Sequence, residues 1–206
     1  MHAGNTIAMA SKPQEQAPWR TLFINHIAKL GDPYMVISSL STCHDASNHT
    51  SQQKIVPRAR YCGFRGFFGE LSSQASSSPA TPKLHSSALQ LLKESNELNP
   101  PNVYESDMLS FTTDVRMGKV RDFKEFDGAV EAVFWVKEVM TQWRMRGRAF
   151  VIGADPSEQD ETQARREVKK GLRLKRPLES GRREDWSWEN EITTYFANHS
   201  PIMRGK

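Results

Sequence analysis

Hydrophobic positions are spaced for a helix at the start of the chain and for strands in its middle. Between residues 17 and 30, Trp19, Leu22, Phe23, Ile27 and Leu30 recur on one helical face, with Arg20, Asn25 and Lys29 elsewhere. Gly31-Asp32-Pro33 then ends the helix. A strand is predicted over 34–40, followed by a polar loop up to Lys54 and an arginine-bearing strand over about 58–68. Residues 72–101 are rich in Ser and Pro and read as a partly disordered insertion. Within it, Leu84, Ala88, Leu91 and Leu92 are spaced for a short helix. A short strand is expected over 110–113, then a turn leading into a helix over 115–126.

Two stronger strands follow. Over 130–136, Val130, Ala132, Phe134 and Val136 share one face, and Glu131, Val133 and Trp135 share the other. Over 141–152, Gln142, Arg144, Arg146 and Arg148 point one way, Trp143, Met145 and Ala149 the other. An arginine stripe of this kind is either a solvated outer face or a surface set against an anionic group. Near the C-terminus, Trp186, Trp188, Ile192, Tyr195 and Phe196 read as the packing face of one more helix. The fold class is therefore mainly β with flanking helices.

At 206 residues the chain has room for one domain. Mean hydropathy is −0.62 and hydrophobic residues make up 37%, so the core is modest. No run approaches the roughly 18–20 apolar residues of a membrane helix, and no membrane partner is expected. Residues 1–16 lack a basic segment followed by an apolar run, so they are read as a disordered N-terminus of a cytoplasmic protein. Cys43 and Cys62 are expected to be free thiols. Without a Cys/His cluster, no metal site is expected. The formal charge of +4 and pI of about 9.1 invite a nucleic-acid reading. Much of the excess sits in the basic run 165–183, flanked by acids, within an insertion at about 155–183. That run is read as a solvated, partly helical surface, and no nucleic-acid partner is expected.

Three blocks carry a family resemblance. PRARYCGFRGFFG at 57–69 resembles the strand of the pyridoxamine 5'-phosphate oxidase family that bears two basic residues five apart followed by Gly-Phe; here these are Arg60 and Arg65, with Gly66-Phe67. FTTDVRMGK at 111–119 is similar to that family's strand-and-turn segment, and 130–149 to its next hairpin, including Gln142 and Gly147. The wording of these blocks looks most like a branch of short FMN-binding homologues. The resemblance covers roughly 17–205 and implies one split-barrel domain over 17–206, with variable insertions at about 72–101 and 155–183. It implies that FMN (flavin mononucleotide) is held by Arg60, Thr113 and Lys119 at the phosphate, by Arg65 and Thr112 along the ribityl chain or polar ring edge, and by Gln142 from the next strand. Arg146 is a further candidate.

A homodimer with the cofactor at its interface is implied too, as is a flavin-dependent oxidoreductase acting on a small amine-like substrate. The alternative is a non-catalytic flavin-binding or interaction protein on the same scaffold. Two departures bear on this. Gly118 stands where family members often carry a second basic residue, with Arg116 as the nearest substitute. The C-terminal strand on which the family's oxidases carry substrate contacts is expected to be missing, which motivates the alternative.

Overall fold

The structure is a computed structural model that describes residues 15–44, 53–71, 84, 86–153, 159–175 and 186–199. The N-terminal stretch, most of the Ser/Pro-rich segment, half of the basic run and the C-terminal residues fall outside these. Helix α1 (Arg20–Ile27) leads into strand β1 (Tyr34–His44), which pairs antiparallel along its whole length with β2 (Gln53–Gly63). Helix α2 (Ser86–Glu94), the two-residue strand β3 (Tyr104–Glu105) and helix α3 (Gly118–Glu125) precede the hairpin of β4 (Ala129–Val136) and β5 (Thr141–Arg148). Helix α4 (Gln159–Lys170), the short strand β6 (Arg173–Leu174) and helix α5 (Trp188–Ala197) complete the described elements. The main sheet runs β2-β1-β4-β5, all antiparallel and open, with β2 and β5 at its edges; β3 and β6 form a separate ribbon.

The alternation predicted for β4 and β5 holds. Ala132, Phe134 and Val136 are buried, while Trp143 and Met145 of β5 pack on the same core. Helix α1 lies across that face. Phe23, fully buried, meets Phe134 at 5.2 Å, Trp143 at 5.4 Å and Phe64 and Phe67 at 5.9 Å, each edge to face. The hairpin is closed by Gly128 at φ +70°, where an added Cβ would stand 2.4 Å from the Ala149 carbonyl oxygen, so only glycine fits.

Several expectations are corrected. Arg20, set off the apolar face of α1, is nonetheless buried: it is 4% exposed, clamps both Glu70 carboxylate oxygens at 2.7 and 2.8 Å, and lies over the Phe67 ring at 3.7 Å. Leu22, assigned to the buried face, is 53% exposed. The arginine-bearing strand ends at Gly63 rather than near 68, because the chain turns there; residues 110–113 form no strand, and the pairing falls instead on the bridge Phe67–Leu109. Nor is the described part of the basic run wholly solvated. Arg173 is buried against Asp107 (2.5 and 3.0 Å) and Glu105 (3.3 Å), and Arg165 pairs with Glu161 at 2.6 Å. On α5, Tyr195 faces inward as predicted, but Phe196 is 57% exposed.

Helix α5 starts with the Ser187 hydroxyl accepting from the Asn190 N–H, a normal N-cap. It also buries a carboxyl group. Glu191 is 0% exposed; one oxygen accepts from Asn99 Nδ2 at 3.0 Å, and Oε1 has no partner among the described residues. Burial therefore pushes the carboxyl from 4.5 up to about 7, against the opposing hydrogen bonds from Asn99 and the Gly69 N–H. The folded chain then keeps a proton that the unfolded chain releases. Its stability contribution is full below pH 4.5 and is lost as pH rises through about 7. At about 1.4 kcal/mol per pKa unit the swing is on the order of 3 kcal/mol. In urea unfolding at pH 5 and pH 8, Glu191→Gln should remove this swing, so the two chains' stabilities converge or cross at pH 8; an identical pH dependence in both would contradict the assignment.

Candidate functional site

The sheet has two chemically different faces. On the face opposite α1, Tyr34, Leu40, Ile55, Tyr61 and Trp135 are exposed, Tyr61 at 79%. Beside them, Arg144 and Arg146 on β5 both donate to Glu131 of β4, at 2.5 and 2.9 Å. On the helix-bearing face, β1 and β2 turn polar beyond the aromatic core, and α3 packs over that part. Strand alternation puts Arg60 and Cys62 together on this inner face, beside the buried Ser39 and Ile37 of β1.

Here the charges converge. Arg60 donates from Nη1 to Ser39 Oγ at 2.9 Å and from Nη2 to Asp122 Oδ2 at 2.6 Å. Asp122 lies on the inward side of α3 and is 1% exposed, with Oδ1 unpartnered among the described residues. Lys119, one turn earlier on α3, is 8% exposed, and its ammonium donates to Cys62 Sγ at 3.9 Å. Burial raises the Cys62 thiol above its ordinary pKa, while Lys119 and Arg60 pull the other way. The inner face under α3 thus holds a neutral thiol, one carboxylate and two cations, and the ammonium has a sulfur rather than a carboxylate for its partner.

Of the residues singled out from the sequence, Arg60 and Lys119 are brought together. Arg65 lies two residues past the end of β2, so strand alternation no longer decides its side. Its backbone N–H donates to the Ser110 carbonyl at 2.8 Å, and its guanidinium folds back within 4 Å of where a Gly63 Cβ would stand. Among the described residues that guanidinium has no hydrogen-bond partner. Thr112 and Thr113, both half-buried, occupy the extended link from Ser110 to α3. Gln142 is not brought in. It is exposed on the outer face of β5, three strand spacings or roughly 14 Å from β2 across the sheet. Arg146 shares that outer face and is tied to Glu131.

Sequence reasoning missed Ser39, Cys62, Asp122 and Ser110. Ser39 and Cys62 could have been found from β2 alternation once the β1–β2 register was known; Asp122 needed only the helical spacing from Lys119. A small motif also escaped notice. Residues 65–68 and 108–110 are stitched by the N–H groups of Arg65, Ser110 and Phe68, each donating to a carbonyl of the other segment at 2.8–2.9 Å, and Gly66 allows this by adopting φ +85°. That stitch places Arg65 beside the segment carrying the two threonines.

Residues 16–153 match the family model described as the FMN-binding domain of pyridoxamine 5'-phosphate oxidase. No curated protein matches the chain. A solved structure from Nostoc punctiforme, a pyridoxamine 5'-phosphate oxidase-related FMN-binding protein, is 18% identical, covers 86% of this chain and 76% of its own, and superposes with a TM-score of 0.41.

The Arg60–Asp122 pair is the cluster's internal anchor, and Asp122 is almost fully buried while Arg60 keeps a quarter of its side-chain surface. Asp122→Ala should destabilise the protein by about 1–3 kcal/mol, less than a fully buried pair because Arg60 can rehydrate. Chemical unfolding of the flavin-free protein measures this, and a change under about 0.5 kcal/mol, the range of ordinary surface substitutions, would show that the pair is not the anchor.

Proposed function

We propose, on the premise that this chain belongs to the pyridoxamine 5'-phosphate oxidase FMN-binding domain family, that its flavin phosphate is held by Lys119 and Arg60 on the inner face of the β1–β2 ribbon. The observation that carries this reading is the buried Lys119 ammonium, whose partner is a thiol. An ammonium removed from water without a carboxylate leaves a strong donor underused, and a phosphate dianion supplies the missing charge and acceptors. Arg60 reaches the same place with guanidinium donors beyond the two spent on Ser39 and Asp122.

Each remaining residue then has a physical task. Asp122 and Ser39 hold the Arg60 fork in one orientation, which lowers the entropy lost when an anion binds. Arg65, with a guanidinium free of protein partners among the described residues, and Thr112 and Thr113 line the approach along which the ribityl chain and the polar ring edge would lie. Bound FMN supplies the hydride or electron transfer; the chain supplies charge, position and shelter from water. The reaction we propose is oxidation or reduction of a small amine-like substrate.

Gln142 lies on the other face of the sheet from Lys119 and Arg60, so it has no part in the phosphate site proposed here. The outer sheet face exposes Tyr34, Leu40, Ile55, Tyr61 and Trp135 on neighbouring strands, an apolar surface of the sort that protein–protein contacts cover. We therefore propose a homodimer joined through this face, with Gln142 and the arginines of β5 at the rim of the contact.

Flavin-free protein should bind FMN in spectroscopic titration, and Lys119→Gln should weaken binding about 10- to 100-fold, the size of one charge-assisted hydrogen bond. A protein that takes up no FMN, or a Lys119→Gln variant that binds as well as the parent, would remove the proposed site. Turnover of amine donors with the loaded protein separates an oxidoreductase from a binder. Light scattering should give a dimer, and Tyr61→Glu should shift it toward monomer by placing a charge in the contact; a parent that is monomeric throughout would contradict the dimer.

A further inference from the structure

Helix α5 lies beyond the segment that the family model matches, which ends at residue 153, yet it touches the stitch that aligns the site. Tyr195 is 8% exposed, and its hydroxyl donates to Ser110 Oγ at 2.8 Å. Ser110 Oγ in turn donates to the Gly66 carbonyl at 2.8 Å, and the Ser110 backbone exchanges hydrogen bonds with Arg65 and Gly66. The Tyr195 ring stacks on Phe68 at 5.8 Å with an interplanar angle of 8°, and Trp188 of the same helix lies 5.9 Å from that ring. The phenol therefore grips both strands of the stitch, one through a hydrogen bond and the other through its ring.

We infer that Tyr195 is a positioning residue for the flavin site: by tying α5 to Ser110 and Phe68, it sets the separation between Arg65 and the Thr112–Thr113 segment. This rests on the proposed FMN site. The chain of contacts is short. Arg65 is one residue from Gly66 and bonds directly to Ser110, and Thr112 follows Ser110 by two residues. A stacked, hydrogen-bonded phenol restrains two degrees of freedom that a phenylalanine would restrain only in part, since the ring contact survives and the hydroxyl contact does not. The 65–68 and 108–110 segments have no longer ladder to rely on, being joined by three backbone hydrogen bonds and the bridge Phe67–Leu109. A side-chain clamp from outside is thus a large share of what holds them in register. A loosened register would leave Arg60 and Lys119 untouched, because Ser39, Asp122 and Cys62 hold them independently.

The test is Tyr195→Phe and Ser110→Ala, alone and combined, in the full chain at a temperature where all four proteins are folded. Tyr195→Phe should raise the FMN dissociation constant about three- to ten-fold, one hydrogen bond's worth transmitted to the ligand. The double variant should bind no more weakly than Ser110→Ala, because both remove the same link. Hydrogen exchange of flavin-free protein should show faster exchange at the Arg65, Phe68 and Ser110 amides in Tyr195→Phe. Unchanged FMN affinity in Tyr195→Phe, or strictly additive losses in the double variant, overturns the positioning role while the parent's binding stands. If the parent itself binds no FMN, the site reading falls and the inference with it; unaltered exchange at the three amides overturns the mechanical link whether or not FMN binds.

Discussion

The candidate site depends on gathering a buried ammonium and a half-buried guanidinium around one buried carboxylate under α3. In water, such pairs would attract one another by only about 1 kcal/mol. Beneath the helix their interactions are strengthened by the lower effective dielectric, and each unpaired charge becomes costly. Asp122 answers Arg60; nothing ionic among the described residues answers Lys119. The excess positive charge is a structural constraint before it is a functional one, and under the proposed FMN site a phosphate would stabilise the protein and fill the site together. Because α3 packs on β1 and β2, formation of the core and formation of the cradle are one event. Phe123, one residue past Asp122, is in the aromatic core.

The core itself is arranged around Phe23. Five aromatic rings meet it edge to face within 6 Å, four of them from beyond α1 and its N-cap, which leaves little freedom for α1 to slide. Arg20, three residues earlier, uses the same helix to draw in Glu70 and Asp107, and Asp107 in turn takes Arg173 from the β3–β6 ribbon. Two arginines share one aspartate here, and each ion loses hydration on entering, so the network's net stabilisation is small. Its consequence is positional. The segment 105–107 is held from both sides, and the site residues Thr112 and Thr113 hang from that segment by way of the stitch.

The strands that read clearly in the sequence were those with period-two alternation and a single apolar side. Phe134 and Trp143 sit where their spacing put them. The arginine stripe of β5 is also where alternation put it, and its choice between solvated face and anion surface is decided for Arg144 and Arg146 by Glu131, the residue lying across from Arg146 and one side-chain reach from Arg144. What escaped was pairing across long sequence separations. Arg20 fell outside the apolar face of α1, and its burial went unread because its partners are 50 and 87 residues away, and no local pattern marks such a contact. Arg173 was hidden in a basic run for the same reason. Of the candidate site, Arg60 and Lys119 were named through the family resemblance, while Ser39 and Cys62 required the β1–β2 register and Asp122 only its helical spacing from Lys119.

Gln142 shows where one-chain reasoning ends. Similarity set it beside the other flavin contacts, yet alternation on β5 sends it to the face away from Lys119, and both statements follow from the residues. The proposed phosphate site lies on one side of the sheet, and Gln142 belongs with the surface on the other. The exposed Tyr61 and Trp135 share that outer face with Gln142: among the described residues the helices pack on one side of the sheet, and the aromatic residues gathered on the other form the kind of surface that protein contacts cover. Under the homodimer proposed above, the open sheet, the apolar outer face and the position of Gln142 follow from one arrangement, in which the outer faces of two chains cover each other.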